Sequence, residues 1–253
     1  MDDATIRPAS MAVAPRRSLG RSALGLLKDV VIIVVAALVV SFLIKTFLIR
    51  SFYIPTESMQ PTLVGDDRII VSQLTPGLIS VNRGDVVVFV DPGGWLSVQQ
   101  GVSEDDPLSR VLNTISYVVG LSSPNDNQHL VKRVVGLPGD VIVCCDELGA
   151  MSINGVPLAE PYVSLPGGVN KVSSDDFEVT VPEASLWVMG DNRYNSADSR
   201  RNTDKPGGGF VPLANVVGRA IVISWPAERW MWLGNYPETF VGIDSEDPSR
   251  AGE

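Results

Sequence analysis

The chain opens with one long apolar block and then breaks into short apolar runs. "VVIIVVAALVVSFLI", Val30 to Ile44, is fifteen residues without a charge. Beyond it, Lys45 can snorkel, and "TFLI" carries the apolar stretch to Ile49. Twenty residues at helical rise cover about 30 Å, the hydrocarbon thickness of a bilayer. A cleaved secretory signal also has a basic start and an apolar middle. Here bulky residues, "KTFLIRSFYIP", stand where a small-x-small cleavage site belongs. The pattern therefore predicts an uncleaved transmembrane anchor over 27–49. Residues 1–26 lack apolar periodicity and read as a disordered tail.

From residue 50 onward, β-branched runs of five or six residues alternate with Gly-Asp punctuation: "GDDRIIVSQ", "RGDVVVFVDPGG", "VKRVVGLPGDVIVCC", "MSINGVPL", "SLWVMGDNR" and "VVGRAIVISW". These predict short strands joined by tight turns, a mostly β fold. Asn154-Gly155 is a hairpin signal, since the pair suits a type I′ turn. One segment differs. "PLSRVLNTISYVVGL", residues 107–121, spaces Leu108, Val111, Leu112, Ile115, Val118 and Val119 as one face of a helix. Such a helix would pack on the sheet or lie on a membrane. The polar, Gly- and Pro-rich stretches at 164–176 and 199–209 read as loops. The C-terminal residues 243–253 read as a loose tail.

Charge adds direction. The formal net charge of −9 argues against nucleic acid as a partner. Residues 1–50 nevertheless carry seven Lys/Arg against three Asp. Arg7, Arg16, Arg17, Arg21 and Lys28 precede the apolar block, so the positive-inside rule puts the N-terminus in the cytoplasm and the acidic domain outside. The expectation is a single-pass protein of the cell membrane.

Candidate chemistry is narrowed by scarcity. His129 is the only histidine and sits in the loop-like "NDNQHLVK", where it reads as solvent-exposed. One histidine and the adjacent Cys144 and Cys145 cannot supply an ordinary zinc shell, so no metal is expected. The two cysteines are either separate thiols or a vicinal disulfide. Of five lysines, only Lys132 falls inside an apolar run, "HLVKRVVG". Strand alternation puts it on the face of Leu130 and Val134. If buried there, its pKa drops and it becomes a general base; if it snorkels to the strand edge, it stays charged. Ser58 lies between Pro55 and Pro61. The prolines stiffen the backbone that presents its hydroxyl, which is also compatible with an ordinary surface turn.

Four segments, in this order, resemble the boxes of bacterial type I signal peptidases, membrane-anchored Ser-Lys proteases. They are "IPTESMQPTL" (54–63), "RGDVVVF" (83–89), "VKRVVGLPGD" (131–140) and "GDNRYNSADSR" (190–200). The resemblance implies Ser58 as nucleophile and Lys132 as general base. It further implies Ser196 as the hydroxyl that orients the lysine, with the Ser58 N–H and the Thr56 hydroxyl as oxyanion hole. Asp191, Asp198, Arg200 and Arg133 match supporting positions, with Arg133 partnering Asp191. Shallow substrate pockets are implied along Ile54, Pro55, Met59 and Val131. It also implies a β-barrel or sheet catalytic core over 50–146 and 186–242, and a reduced second β subdomain at 147–185. Residues 92–129 form a longer insertion than the simplest members carry. The implied activity is removal of signal peptides from secretory precursors after Ala-x-Ala, near the export translocon and membrane lipid, with no cofactor. The apolar run at 30–49 and the lack of a helix-turn-helix region separate the chain from cytoplasmic Ser-Lys autoproteases.

Overall fold

The computed structural model describes residues 19–96 and 129–243. The amphipathic segment 107–121 and most of the 92–129 insertion lie outside them, as do residues 1–18 and 244–253. The chain separates into two compact units at Ile44–Lys45.

The first unit is built on one helix, α1, Leu19–Phe47. It starts earlier than the sequence pattern suggested, so residues 19–26 are helical rather than part of the tail. Gly25–Phe42 has a mean hydropathy of 2.4, and none of that stretch is buried within the protein. By length and composition this helix is long and apolar enough to cross a membrane.

The second unit is a β domain with two antiparallel sheets. The strands of the larger sheet are β1 (Ile49–Tyr53), β2 (Arg68–Ser72), β3 (Val86–Val90), β4 (His129–Gly136), β9 (Ser185–Met189), β10 (Val211–Pro212), β11 (Val216–Trp225) and β12 (Met231–Trp232). They run in the order β1-β2-β11-β3-β4-β9-β10, with β12 also paired to β11. The smaller sheet has the order β7-β6-β5-β8, from β5 (Val141–Cys144), β6 (Met151–Ile153), β7 (Val156–Pro157) and β8 (Phe177–Thr180). The hairpin signal holds: Asn154 and Gly155 take φ of 50° and 82° between β6 and β7.

The unbroken run "VVVFV" in β3 is explained by its surroundings. Val86 and Val88 enter one apolar cluster with Phe52, Ile54, Met59 and Ile69. Val87 and Phe89 enter another with Val134, Val188 and Trp95. Both faces are covered, so alternation disappears from the sequence. Trp95, at the start of the expected insertion, is therefore a core residue that edges against Phe89.

A third cluster joins the two sheets. Val135, Trp187 and Met189 of the larger sheet pack with Ile142, Cys144, Met151, Ile153 and Val181. The smaller sheet begins at Val141, not at 147, because β5 pairs with β6 and β8 rather than with the larger sheet. The two sheets share one core, and Ile243 is buried in it too, one residue into the expected tail. Cys144 and Cys145 in this region are joined as a vicinal disulfide.

Trp187 is fully buried and contacts the rings of Phe177 and Phe210 at 5.6 and 5.2 Å between centroids. Truncating such a residue leaves a void that its neighbours on two sheets cannot jointly close. Trp187→Ala is expected to destabilise the β domain by about 3–5 kcal/mol, read as a lowered urea midpoint in detergent solution. A loss below about 1 kcal/mol would refute the shared core.

Candidate active site

Ser58 sits in the turn that follows β1. Ile54 N–H donates to Asp67 O at 2.9 Å, and Leu63 N–H donates to Met59 O at 2.9 Å. Ile54 before the turn and Met59 and Leu63 after Ser58 are buried, so the segment is pinned to the core on both sides of the serine. Ser58 itself is 8% exposed.

Strand β4 brings Lys132 to it. The register pairs Lys132 with Val87, the second residue of β3. Its side chain is 3% exposed, and Nζ lies 2.8 Å from Ser58 Oγ while donating to Val131 O at 3.0 Å. Of the two readings of this lysine left open by alternation, the structure has the buried one. Burial strips hydration from the ammonium and lowers the amine pKa from 10.5 to about 8, against the opposing pull of the Asp198 and Asp191 carboxylates. An amine in that range carries a lone pair at mildly alkaline pH and stands within hydrogen-bond reach of a hydroxyl proton.

The charges around the amine are themselves paired. Asp198 accepts from Arg200 Nε at 2.9 Å and Nη2 at 2.7 Å, and from Gly190 N–H at 3.0 Å. Burial raises the Asp198 carboxyl, but these donors outweigh it and hold the pKa below the ordinary carboxylate value. Arg133 forks onto Asp191 through Nε at 2.8 Å and Nη2 at 2.7 Å, the partnership expected from the sequence. Arg133 also donates to Gly84 O at 2.7 Å, and its guanidinium lies 4.1 Å from the centroid of the Tyr162 ring.

Thr56 Oγ1 stands 3.3 Å from Ser58 Oγ, on the same short turn. Ser196 does not make the expected bond to Lys132. Its hydroxyl is buried beside Gly190 and satisfies no partner with full hydrogen-bond geometry; its proximity only helps to lower the Asp198 carboxyl. The amine spends its contacts on Ser58 and the Val131 carbonyl instead.

The substrate residues divide. Ile54 is 1% exposed and Met59 0%, so both belong to the core rather than to an open pocket. Their neighbours Pro55 and Val131 keep accessible surface. His129 is the first residue of β4, not part of a loop, and its half-buried ring rests 5.2 Å from that of Phe52. Among the described residues, no group of three or more His, Cys, Asp or Glu is placed to hold a metal.

Two contributions were not foreseen. Arg193 is buried and forks onto Glu160 at 2.8 and 2.6 Å, tying the site loop to the segment after β7. Arg193 lies inside "GDNRYNSADSR", which gave a signal; Glu160 in "LAEPY" gave none. Asn192 donates through Nδ2 to Glu57 O at 3.2 Å and through its main-chain N–H to Ser58 O at 3.1 Å.

Comparison with known proteins places the chain in a family. Residues 27–225 match the family described as signal peptidase, peptidase S26. A probable signal peptidase I of Mycobacterium leprae is 36% identical over 252 residues, covering 90% of this chain and 85% of the relative. A signal peptidase I of Mycobacterium tuberculosis is 38% identical over 221 residues, covering 81% and 74%. A signal peptidase I of Leptolyngbya laminosa is 35% identical over 189 residues, covering 73% of each. The chain therefore belongs to the signal peptidase family, peptidase S26.

Proposed function

We propose that this protein is a membrane-bound serine endopeptidase that removes signal peptides from exported precursors through a Ser58–Lys132 dyad. The observation that carries the reading is a buried amine 2.8 Å from the hydroxyl of a pinned serine. Neutral Lys132 takes the Ser58 proton as Oγ attacks the carbonyl carbon at the scissile bond. The tetrahedral oxyanion is held by the Ser58 N–H and the Thr56 hydroxyl. The C–N bond then breaks, and Lys132 passes its proton to the leaving amine. Neutral again, the amine takes a proton from water, and the resulting hydroxide attacks the acyl ester. Breakdown of this second intermediate returns the proton to Ser58 and frees the signal peptide.

Arg133–Asp191 and Asp198–Arg200 brace the strands around the dyad and do not react. Ser196 would steady the amine once it turns its buried hydroxyl toward Nζ. The substrate binds extended against the accessible surface around Pro55 and Val131 and carries small side chains there, as in Ala-x-Ala. The chemistry uses no cofactor.

The helix Leu19–Phe47 spans the cell membrane once, with the basic N-terminus in the cytoplasm and the β domain outside. Ser58 follows Phe47, the last residue of the helix, by eleven residues, a chain length of at most about 40 Å. Precursors emerge on this side of the membrane, beside the export translocon. Trp225, Trp230 and Trp232 are 58%, 57% and 65% exposed, which favours seating on lipid over core packing. Tyr53 is exposed with them, while Phe52 is buried and takes no part.

Ser58→Ala and Lys132→Ala are each expected to abolish cleavage of a model precursor by the full chain in detergent or vesicles. Full activity in Lys132→Ala would discard the dyad. Because the base is active only when neutral, kcat/KM should fall as pH drops through about 8; an acidic limb lying far below that value would contradict the buried amine. Thr56→Ala should lower kcat by roughly 100- to 1,000-fold with KM little changed, and Thr56→Ser should restore most of it.

A further inference from the structure

The peptide groups on both sides of Ser58 are gripped by one residue. The carbonyl of Glu57 accepts from Asn192 Nδ2 at 3.2 Å and from Gln60 N–H at 3.1 Å. The carbonyl of Ser58 accepts from the main-chain N–H of Asn192 at 3.1 Å. Asn195 adds a 3.4 Å contact from Nδ2 to the Glu57 carboxylate. Asn192 is held in turn, because its neighbour Asp191 is locked by Arg133 and Arg193 is locked by Glu160.

We infer that Asn192 is a positioning residue for the oxyanion hole: by holding the carbonyl of Glu57, its side-chain amide aims the Ser58 N–H at the developing oxyanion. The inference rests on the reaction proposed above. A trans peptide unit is planar, and its C=O and N–H point in opposite directions. Glu57 O and Ser58 N–H are the two ends of one such plane. Fixing the carbonyl toward the loop at 190–196 therefore fixes the N–H away from that loop. Rotation of the plane would swing a carbonyl into the place where a donor is needed. Hydrogen bonds to the carbonyl oxygen also polarise the unit and make its N–H a stronger donor.

The approach that allows this grip is close. A Cβ on Gly190 would lie 2.4 Å from Ser58 O and 2.3 Å from Ser196 Oγ, so only glycine lets the loop reach the nucleophile's backbone. The loop thus serves two ends of the same reaction. Asp198 and Asp191 face the amine, and Asn192 faces the backbone of the nucleophile.

The test compares Asn192→Ala and Asn192→Asp with the wild-type full chain. Both variants keep the main-chain bond to Ser58 O and lose the side-chain donor to Glu57 O. The aspartate keeps the shape but adds a charge, so the alanine reads the loss of the donor and the aspartate controls for shape. Measurements are kcat and KM on a model precursor, the pH–rate profile, and inhibition by a peptide aldehyde with small terminal residues, which forms an oxyanion adduct with Ser58. We expect kcat to fall roughly 10- to 100-fold in both variants. Aldehyde inhibition should weaken by the same factor, with KM and the thermal midpoint unmoved and, in Asn192→Ala, the acidic limb still near pH 8; the added carboxylate of Asn192→Asp should move that limb upward. Variants that match wild type, or that lose kcat, KM and thermal midpoint together, would overturn the assignment. A wild-type chain that leaves precursor uncut, or a Ser58→Ala chain that cuts it, would overturn the proposed reaction as well.

Discussion

The structure turns on one costly placement, a lysine amine taken out of water and set against a serine hydroxyl. An ammonium in that position would forfeit its hydration, so the neutral form gains, and the amine becomes a base at a pH where exposed lysines are acids. That gain requires strand β4 to lie inside a sheet covered on both faces, with Lys132 paired to Val87. It also requires Ser58 to be held still. Met59 and Leu63, buried just after it, do this through packing, and Asn192 adds hydrogen bonds to the carbonyls of Glu57 and Ser58.

Removing water from one charge raises the stakes for every other charge nearby. Asp191 and Asp198 both lie close enough to favour the ammonium, and each is bound by an arginine fork. The forks have two effects. They satisfy carboxylates that have no solvent, and they offset negative charge that would otherwise raise the amine pKa. Buried ion pairs contribute little net stability against well-packed apolar residues, so their value here is in geometry and in the electrostatic setting of the base. Tyr162, lying over the Arg133 guanidinium, and Glu160, paired to Arg193, extend the same frame into the segment that joins β7 to β8 of the smaller sheet. The smaller sheet is thereby coupled to the site both by this polar frame and by the Trp187 cluster.

A large part of the architecture is legible in the residue pattern. The apolar block gave the helix, the Gly-Asp punctuation gave the strands β2 to β6, β9 and β11, and the lone lysine in an apolar run is the one the structure buries. The failures have physical causes. Short strands such as β10 and β12 have only two residues each, too few to show a period. The boundary of the smaller sheet was set six residues late, because "VIVC" reads as a strand without revealing which sheet it joins. His129 looked exposed for want of any sign that Phe52, distant in sequence, would lie against it.

What the sequence determined by itself was local: the helix, the strands, the turn at Asn154-Gly155, and the short list of residues able to do chemistry. These follow from periodicity, backbone preference and the scarcity of histidine and lysine, all of which act over a few residues. What only the tertiary structure decided was which of these meet. Burial of Lys132, its contact with Ser58 across 74 residues of chain and the grip of Asn192 on the Glu57 carbonyl depend on strand order and loop approach. Desolvation and hydrogen-bond geometry are properties of that assembled neighbourhood, and no single stretch of the chain contains them.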